Sequence, residues 1–192
     1  MENDMNQILY FIGSYLIGNI LTANIYLKLL GKGNVHNQGS GNPGARNIGR
    51  LYGKKAFIIT FLGDALKGSL VIVVGKYLQI TEIETLVGLT LAVIGHIKPI
   101  LFQFKGGKGI STFIGGIITF EPLLALVIII GFLLFYPFTK SFTIAGLAAI
   151  CLIPFSVSYF YQSIELIWIL AVIIVILILA HSENLLRKFK QT

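Results

Sequence analysis

Long apolar runs alternate with short polar, glycine-rich stretches along this chain. A helix crosses the hydrocarbon core of a bilayer with about 20 residues. Seven runs read as such segments: Ile8 to Leu30, Ala56 to Leu78, Thr85 to Leu101, Ile110 to Phe120, Leu123 to Phe138, Phe142 to Tyr161 and Ile164 to Ala180. The fourth is too short to cross by itself, and Glu121-Pro122 closes it, because proline disfavours helix at the residue before it. It reads either as a half-helix buried in a bundle or as one kinked span with the fifth.

Charge placement favours separate segments, since lysine and arginine accumulate on the cytoplasmic side of a membrane. With the N-terminus outside and seven crossings, Lys32, Arg46, Arg50, Lys54, Lys105, Lys108 and Arg187 share the cytoplasmic side, and Glu2, Glu82, Glu121 and Glu165 fall on the other. Fusing segments four and five would put Lys108 and the tail around His181 in opposite compartments. The pattern predicts an all-α, polytopic membrane bundle of about seven transmembrane helices, N-terminus outside and C-terminus cytoplasmic. No internal repeat is evident, so residues 1–192 read as a single membrane domain.

Composition agrees: 55% of residues are hydrophobic and only 12% are charged, which excludes an ordinary soluble domain. The formal charge of +7 sits in short loops flanking apolar runs, so it reads as a topology signal and not as a nucleic-acid footprint. Cys151 is the single cysteine, which removes disulfide frameworks and cysteine metal sites. Glu2 and Asp4 precede the first run with no basic region and no small-residue cleavage pattern, so no cleaved signal peptide is expected.

The polar stretches carry the candidate chemistry. From Gly39 to Arg50, four glycines and Pro43 prevent a regular helix and let backbone amides converge on an anion. Ser40, Asn42 and Asn47 add neutral donors, and Arg46 and Arg50 add planar forks suited to phosphate oxygens. The plainer reading is a flexible basic loop, which leaves two asparagines beside arginine unexplained. In Lys105-Gly106-Gly107-Lys108-Gly109 the free amides and dipole of the following helix can face an anion, with Lys108 as the point charge. This is not a nucleotide P-loop, because Gly109 stands where Ser or Thr belongs.

His96 is read as a hydrogen-bonded structural residue in preference to a general base. Asp64 and Lys67 share a helix face three residues apart and read equally as a functional pair or as an ion pair fixing helix packing. In the tail, His181, Asn184 and Lys188 fall on one helical stripe, against the plainer reading of a basic segment drawn to anionic lipid. No histidine is followed five positions later by aspartate, so the His-x4-Asp dyad of acyl-CoA-dependent glycerolipid acyltransferases is absent. A serine with an adjacent base and a metal-ligand cluster are absent too.

Taken together, Gly39-Ser-Gly-Asn-Pro-Gly-Ala-Arg-Asn-Ile-Gly-Arg50, Asp64-Ala-Leu-Lys-Gly68, Gly95-His-Ile-Lys-Pro99, Phe104-Lys-Gly-Gly-Lys-Gly109 and His181-Ser-Glu-Asn-Leu-Leu-Arg187 resemble the bacterial PlsY family, in order and over nearly the whole chain. The resemblance implies a small seven-helix membrane enzyme without a cofactor, sited in the bacterial cell membrane with its active site facing the cytoplasm. It implies acyl transfer from fatty acyl phosphate to the 1-hydroxyl of glycerol 3-phosphate, giving lysophosphatidic acid and phosphate. Membrane lipid and the soluble enzyme that makes acyl phosphate are the implied partners. It points to Ser40, Asn42 and Asn47 as orienting groups, to His181 and Asn184 as contacts to glycerol 3-phosphate, and to Arg50 and Lys108 as phosphate-binding groups; the chemistry of the residues themselves adds Gly106, Gly107 and Arg46 to the substrate-binding set.

Two departures stand out: Arg46 occupies a position where the family usually has threonine, and the usual serine pair is missing around Thr143 to Gly146. A paralogue with another acceptor or without activity, and an organic-phosphate transporter built on the broken fourth span, are the competing readings.

Overall fold

Each apolar run is helical in the computed structural model, which describes residues 2–183, and no strand occurs among those residues. The helices are α1 (Glu2–Gly18), α2 (Thr22–Leu29), α3 (Ala45–Tyr77), α4 (Glu82–Ile97), α5 (Ile110–Phe120), α6 (Leu124–Thr139), α7 (Phe142–Ile150), α8 (Ile153–Tyr161) and α9 (Ile164–Ala180). Single 3-10 turns occupy Val35–Asn37 and Ile100–Phe102.

The all-helical reading is met, with three differences of detail. The first run is broken after Gly18, and its two helices bend by 46°. The second begins earlier than its apolar pattern, because α3 takes in the polar Ala45 to Tyr52 segment and kinks at Gly53, whose positive φ of 86° suits glycine. The sixth is split at Cys151 and Leu152. By length and apolarity α3, the Glu82–Phe102 stretch and the Phe142–Tyr159 stretch can each cross a membrane, and the bent α1–α2 pair makes a fourth. The shorter apolar helices are α5, α6 and α9. Fragments four and five are separate helices, since α5 closes at Phe120 and α6 opens at Leu124 beyond Pro122.

Two compact units divide the chain at the end of α5. In the first, residues 1–119, α4 packs against both α1 and α3, α2 lies on α3, and small residues line the closest seams. Gly18 lies against the backbone of Ala92, and Gly95 against the carbonyl of Tyr15. Between α3 and α5, Gly68 meets the backbone of Thr112 and Gly115 that of Ala65. Close backbone approach of this kind replaces the hydrophobic drive that helices lack in lipid. The core between them holds Leu21, Ile72, Leu86, Leu89, Phe113 and Ile117, while Leu62, Leu66, Leu70 and Val73 leave an apolar outer face on α3. At the start of α4, Thr81 and Glu84 form a reciprocal capping box.

In the second unit, residues 120–192, α6 packs on α7 and α8, and α9 packs on α7 and α8. Gly131 of α6 seats against Ala149, and the Phe132 and Phe142 rings meet edge to face at 4.9 Å. Tyr161 donates to Glu121 at 3.0 Å, tying the end of α8 to the start of the unit.

Candidate active site

The first polar stretch is an ordered loop. Val35, in its 3-10 turn, plugs into an apolar cluster with Ala23, Leu27, Ile48 and Ala56, which anchors the loop to α2 and α3. Gly39 and Gly41 then turn the chain at φ of 57° and 70°. Asn47, buried one turn into α3, holds that turn from beneath. Its Oδ1 accepts from the Ser40 amide at 2.9 Å and its Nδ2 donates to the Gln38 carbonyl at 3.1 Å. The Gln38 side chain accepts from the Tyr52 hydroxyl, and a His36 ring nitrogen lies 3.1 Å from the Gly41 carbonyl.

The loop therefore presents Ser40 at the surface and half-buries Asn42. Arg46 and Arg50, one turn apart at the start of α3, are both exposed. Arg46 lies ahead of the apolar stretch that begins at Ala56. No side chain caps α3 at Gly44.

The second stretch folds back over the end of α4. Gln103 and Phe104 adopt left-handed backbone at φ of 53° and 60°, and the Phe104 amide donates to the Pro99 carbonyl at 2.8 Å. This brings Gly106 onto the carbonyls of His96 and Ile97, and Gly107 onto the His96 imidazole, where a Cβ has no room. The Gly107 amide donates to the His96 carbonyl at 2.9 Å, so it serves the turn itself. Gly109, at φ of 80°, then starts α5, and Lys108 stands half-buried at that helix's N-terminus.

Beneath the turn lies a buried polar network that the sequence only partly foretells. The break after Gly18 frees backbone groups in an apolar setting, where they need partners. Lys67 Nζ donates to the Gly18 carbonyl at 3.0 Å and the Ile20 carbonyl at 2.6 Å, while Asp64 Oδ1 accepts from the Thr22 amide at 3.3 Å and its hydroxyl at 3.0 Å. The cation thus closes the C-terminal end of α1 and the carboxylate receives the N-terminal end of α2, as the helix dipoles favour. Lys67 and Asp64 pair at 3.2 Å, with 5% and 1% of their side-chain surface exposed. Lys67 also lies 2.7 Å from His96 Nδ1.

The packing alternative for Asp64 and Lys67 and the structural reading of His96 both find support in this geometry. Asn19, Tyr15, Gln38 and Tyr52 are supporting residues that the sequence did not single out. Asn19 accepts from the Leu101 amide at 3.3 Å and the Tyr15 hydroxyl donates to the Lys98 carbonyl at 2.8 Å. The one available signal was Asn19 itself, an amide side chain directly after Gly18 in a mostly apolar run.

In the second unit, His181 caps α9, is buried, and lies 2.7 Å through Nδ1 from the Leu177 carbonyl. A neutral ring donating through Nδ1 presents Nε2 as an acceptor. Asn184, with Arg187 and Lys188, lies outside the described residues. A groove of about 290 Å³ lined by Tyr10, Ser14, Val71 and Leu78 sits toward the C-terminal end of α3, away from its Arg46 and Arg50 end.

The family model described as glycerol-3-phosphate acyltransferase matches residues 8–191. Glycerol-3-phosphate acyltransferase 1 of Bacillus cereus is 54% identical over 95% of this chain and 100% of its own. The protein of the same name from Desulfitobacterium hafniense is 36% identical over 96% of this chain and 91% of its own. Among solved structures, PlsY (YgiH), an integral membrane glycerol 3-phosphate acyltransferase, is similar in its glycerol 3-phosphate form with a TM-score of 0.87 and 28% identity, covering 96% of this chain and 92% of that one. Its lysophosphatidic acid form gives a TM-score of 0.86 at the same identity and coverage.

Proposed function

The chain belongs to the glycerol-3-phosphate acyltransferase family, and on that premise we propose that it transfers a fatty acyl group from acyl phosphate to the 1-hydroxyl of glycerol 3-phosphate. The products are lysophosphatidic acid and inorganic phosphate, a step of phospholipid synthesis. The observation that carries this reading is the whole-chain likeness to an acyltransferase solved in its glycerol 3-phosphate and lysophosphatidic acid forms.

In the reaction the hydroxyl oxygen of the acceptor bonds to the acyl carbon, and the bond from that carbon to the phosphate oxygen breaks. The hydroxyl proton leaves on a phosphate oxygen, which needs no protein base. Phosphate is a competent leaving group, so positioning and charge stabilisation are the enzyme's main tasks. Arg50 and Lys108 meet phosphate oxygens, with Arg46 beside them. Ser40, held by Asn47, and Asn42 orient the reacting groups. His181 and Asn184 contact glycerol 3-phosphate. The whole of residues 1–192 acts as one membrane enzyme of seven crossings, with its N-terminus outside and its site facing the cytoplasm, as the distribution of lysine and arginine favours.

Detergent-purified protein given glycerol 3-phosphate should form lysophosphatidic acid from palmitoyl phosphate and none from palmitoyl-CoA. Product from palmitoyl-CoA, or palmitoyl phosphate consumed only with another acceptor, would contradict the assignment.

A further inference from the structure

We propose that His96 and Lys67 are positioning residues for acyl transfer: Lys67 fixes the tautomer and orientation of His96, and His96 sets the turn from Gly106 to Lys108. The proposal rests on the reading that this turn handles substrate phosphate.

The Lys67 ammonium has three protons and no lone pair, so every close polar neighbour must accept from it. Four acceptors share those protons: the Gly18 carbonyl, the Ile20 carbonyl, His96 Nδ1 and, at 3.2 Å, Asp64 Oδ1, which also neutralises the charge. Nδ1 is therefore the accepting nitrogen of the imidazole, and its proton sits on Nε2. That edge faces the turn, since a Cβ on Gly107 would be driven into it. The His96 carbonyl receives the Gly107 amide and also crowds Gly106. Ring and backbone of one residue thus form the bed on which the two glycines preceding Lys108 lie. With 3% of its surface exposed and Nδ1 occupied, His96 is poorly placed to act as a general base. Its position suits a fixed N–H edge aimed at a phosphate-handling turn.

A merely structural role and a positioning role separate on two substitutions at one site. His96→Asn places an amide oxygen where Nδ1 lies, keeping the Lys67 contact, and leaves nothing at Nε2. His96→Gln carries an amide N–H out to the Nε2 position. His96→Asn is expected to keep its detergent melting temperature and raise KM for a phosphate substrate about ten-fold with a smaller change in kcat, while His96→Gln stays near the wild-type KM. Lys67→Met in the His96→Asn background should add nothing to the KM change, since Lys67 acts through the ring.

Wild-type release of phosphate that depends on glycerol 3-phosphate reads the proposed function separately. Without it, protection against heat by inorganic phosphate reads the turn: wild type and His96→Gln are protected, and His96→Asn is not. Three results overturn the proposal: wild-type KM and phosphate protection in His96→Asn, a loss of stability in both His96 variants that accounts for the change in rate, or no phosphate effect on the wild type in either measurement.

Discussion

A methyl group added at Gly107 would be driven into the His96 imidazole, and one at Gly106 into the carbonyls of His96 and Ile97. Gly107→Ala is therefore expected to displace the turn and raise KM for a phosphate substrate at least about ten-fold, with the melting temperature changed far less. Steady-state kinetics of the purified variant checks this, and unchanged constants would mean that the turn carries no substrate. Asn47 makes a second test. Alanine there leaves the Ser40 amide and the Gln38 carbonyl without the partner that joins them, at about 1–3 kcal/mol for groups left unpaired. Asn47→Ala should lower kcat/KM roughly ten- to hundred-fold through a disordered Ser40, and full activity would show that the loop's order is irrelevant. From sequence, Gly106, Gly107 and Asn47 all read as groups facing an anion. Steric fit and loop bracing are what the structure adds, and both depend on which residues lie beneath, which local sequence does not reveal.

The helices explain why charged residues sit inside an apolar run. Asp64 and Lys67 lie one turn apart on α3, opposite the break between α1 and α2, and each closes the helix end that matches its sign. Removing either leaves the other charge buried without its partner, so Lys67→Met or Asp64→Asn alone should cost about 3–5 kcal/mol, and the double variant less than the sum. Thermal unfolding in detergent measures the three; additive losses would mean that the two charges do not act as a pair. The ion pair itself was legible from the three-residue spacing. Its partners were not, because Ile8 to Leu30 reads as one continuous run and the chain's break falls at Gly18-Asn19, a weak interruption in hydropathy. The same limit applies to Ala45 to Tyr52, which is too polar to join an apolar run but continues the helical hydrogen bonding of α3 up to its kink at Gly53.

Across the whole molecule, apolar runs and basic loops were enough to read an all-helical membrane protein, and the motif set enough to read the family. Among the described residues, three long helical stretches and one bent pair can cross a bilayer by length, so the seven-crossing topology calls for its own measurement. In a Cys151→Ser background, cysteines placed at Lys32 and Lys105 should react with an impermeant maleimide only from the cytoplasmic side, and one at Glu82 only from outside. Labelling of Lys105→Cys from outside would reverse the compartment assigned to the site.

The most direct measurement is phosphate release from palmitoyl phosphate by the detergent-purified protein, with and without glycerol 3-phosphate, beside Lys108→Ala. Release that requires the acceptor, matches lysophosphatidic acid mole for mole and is lost in Lys108→Ala is the expected result. Release independent of glycerol 3-phosphate, or none from a folded wild-type protein, would contradict acyl transfer to that acceptor.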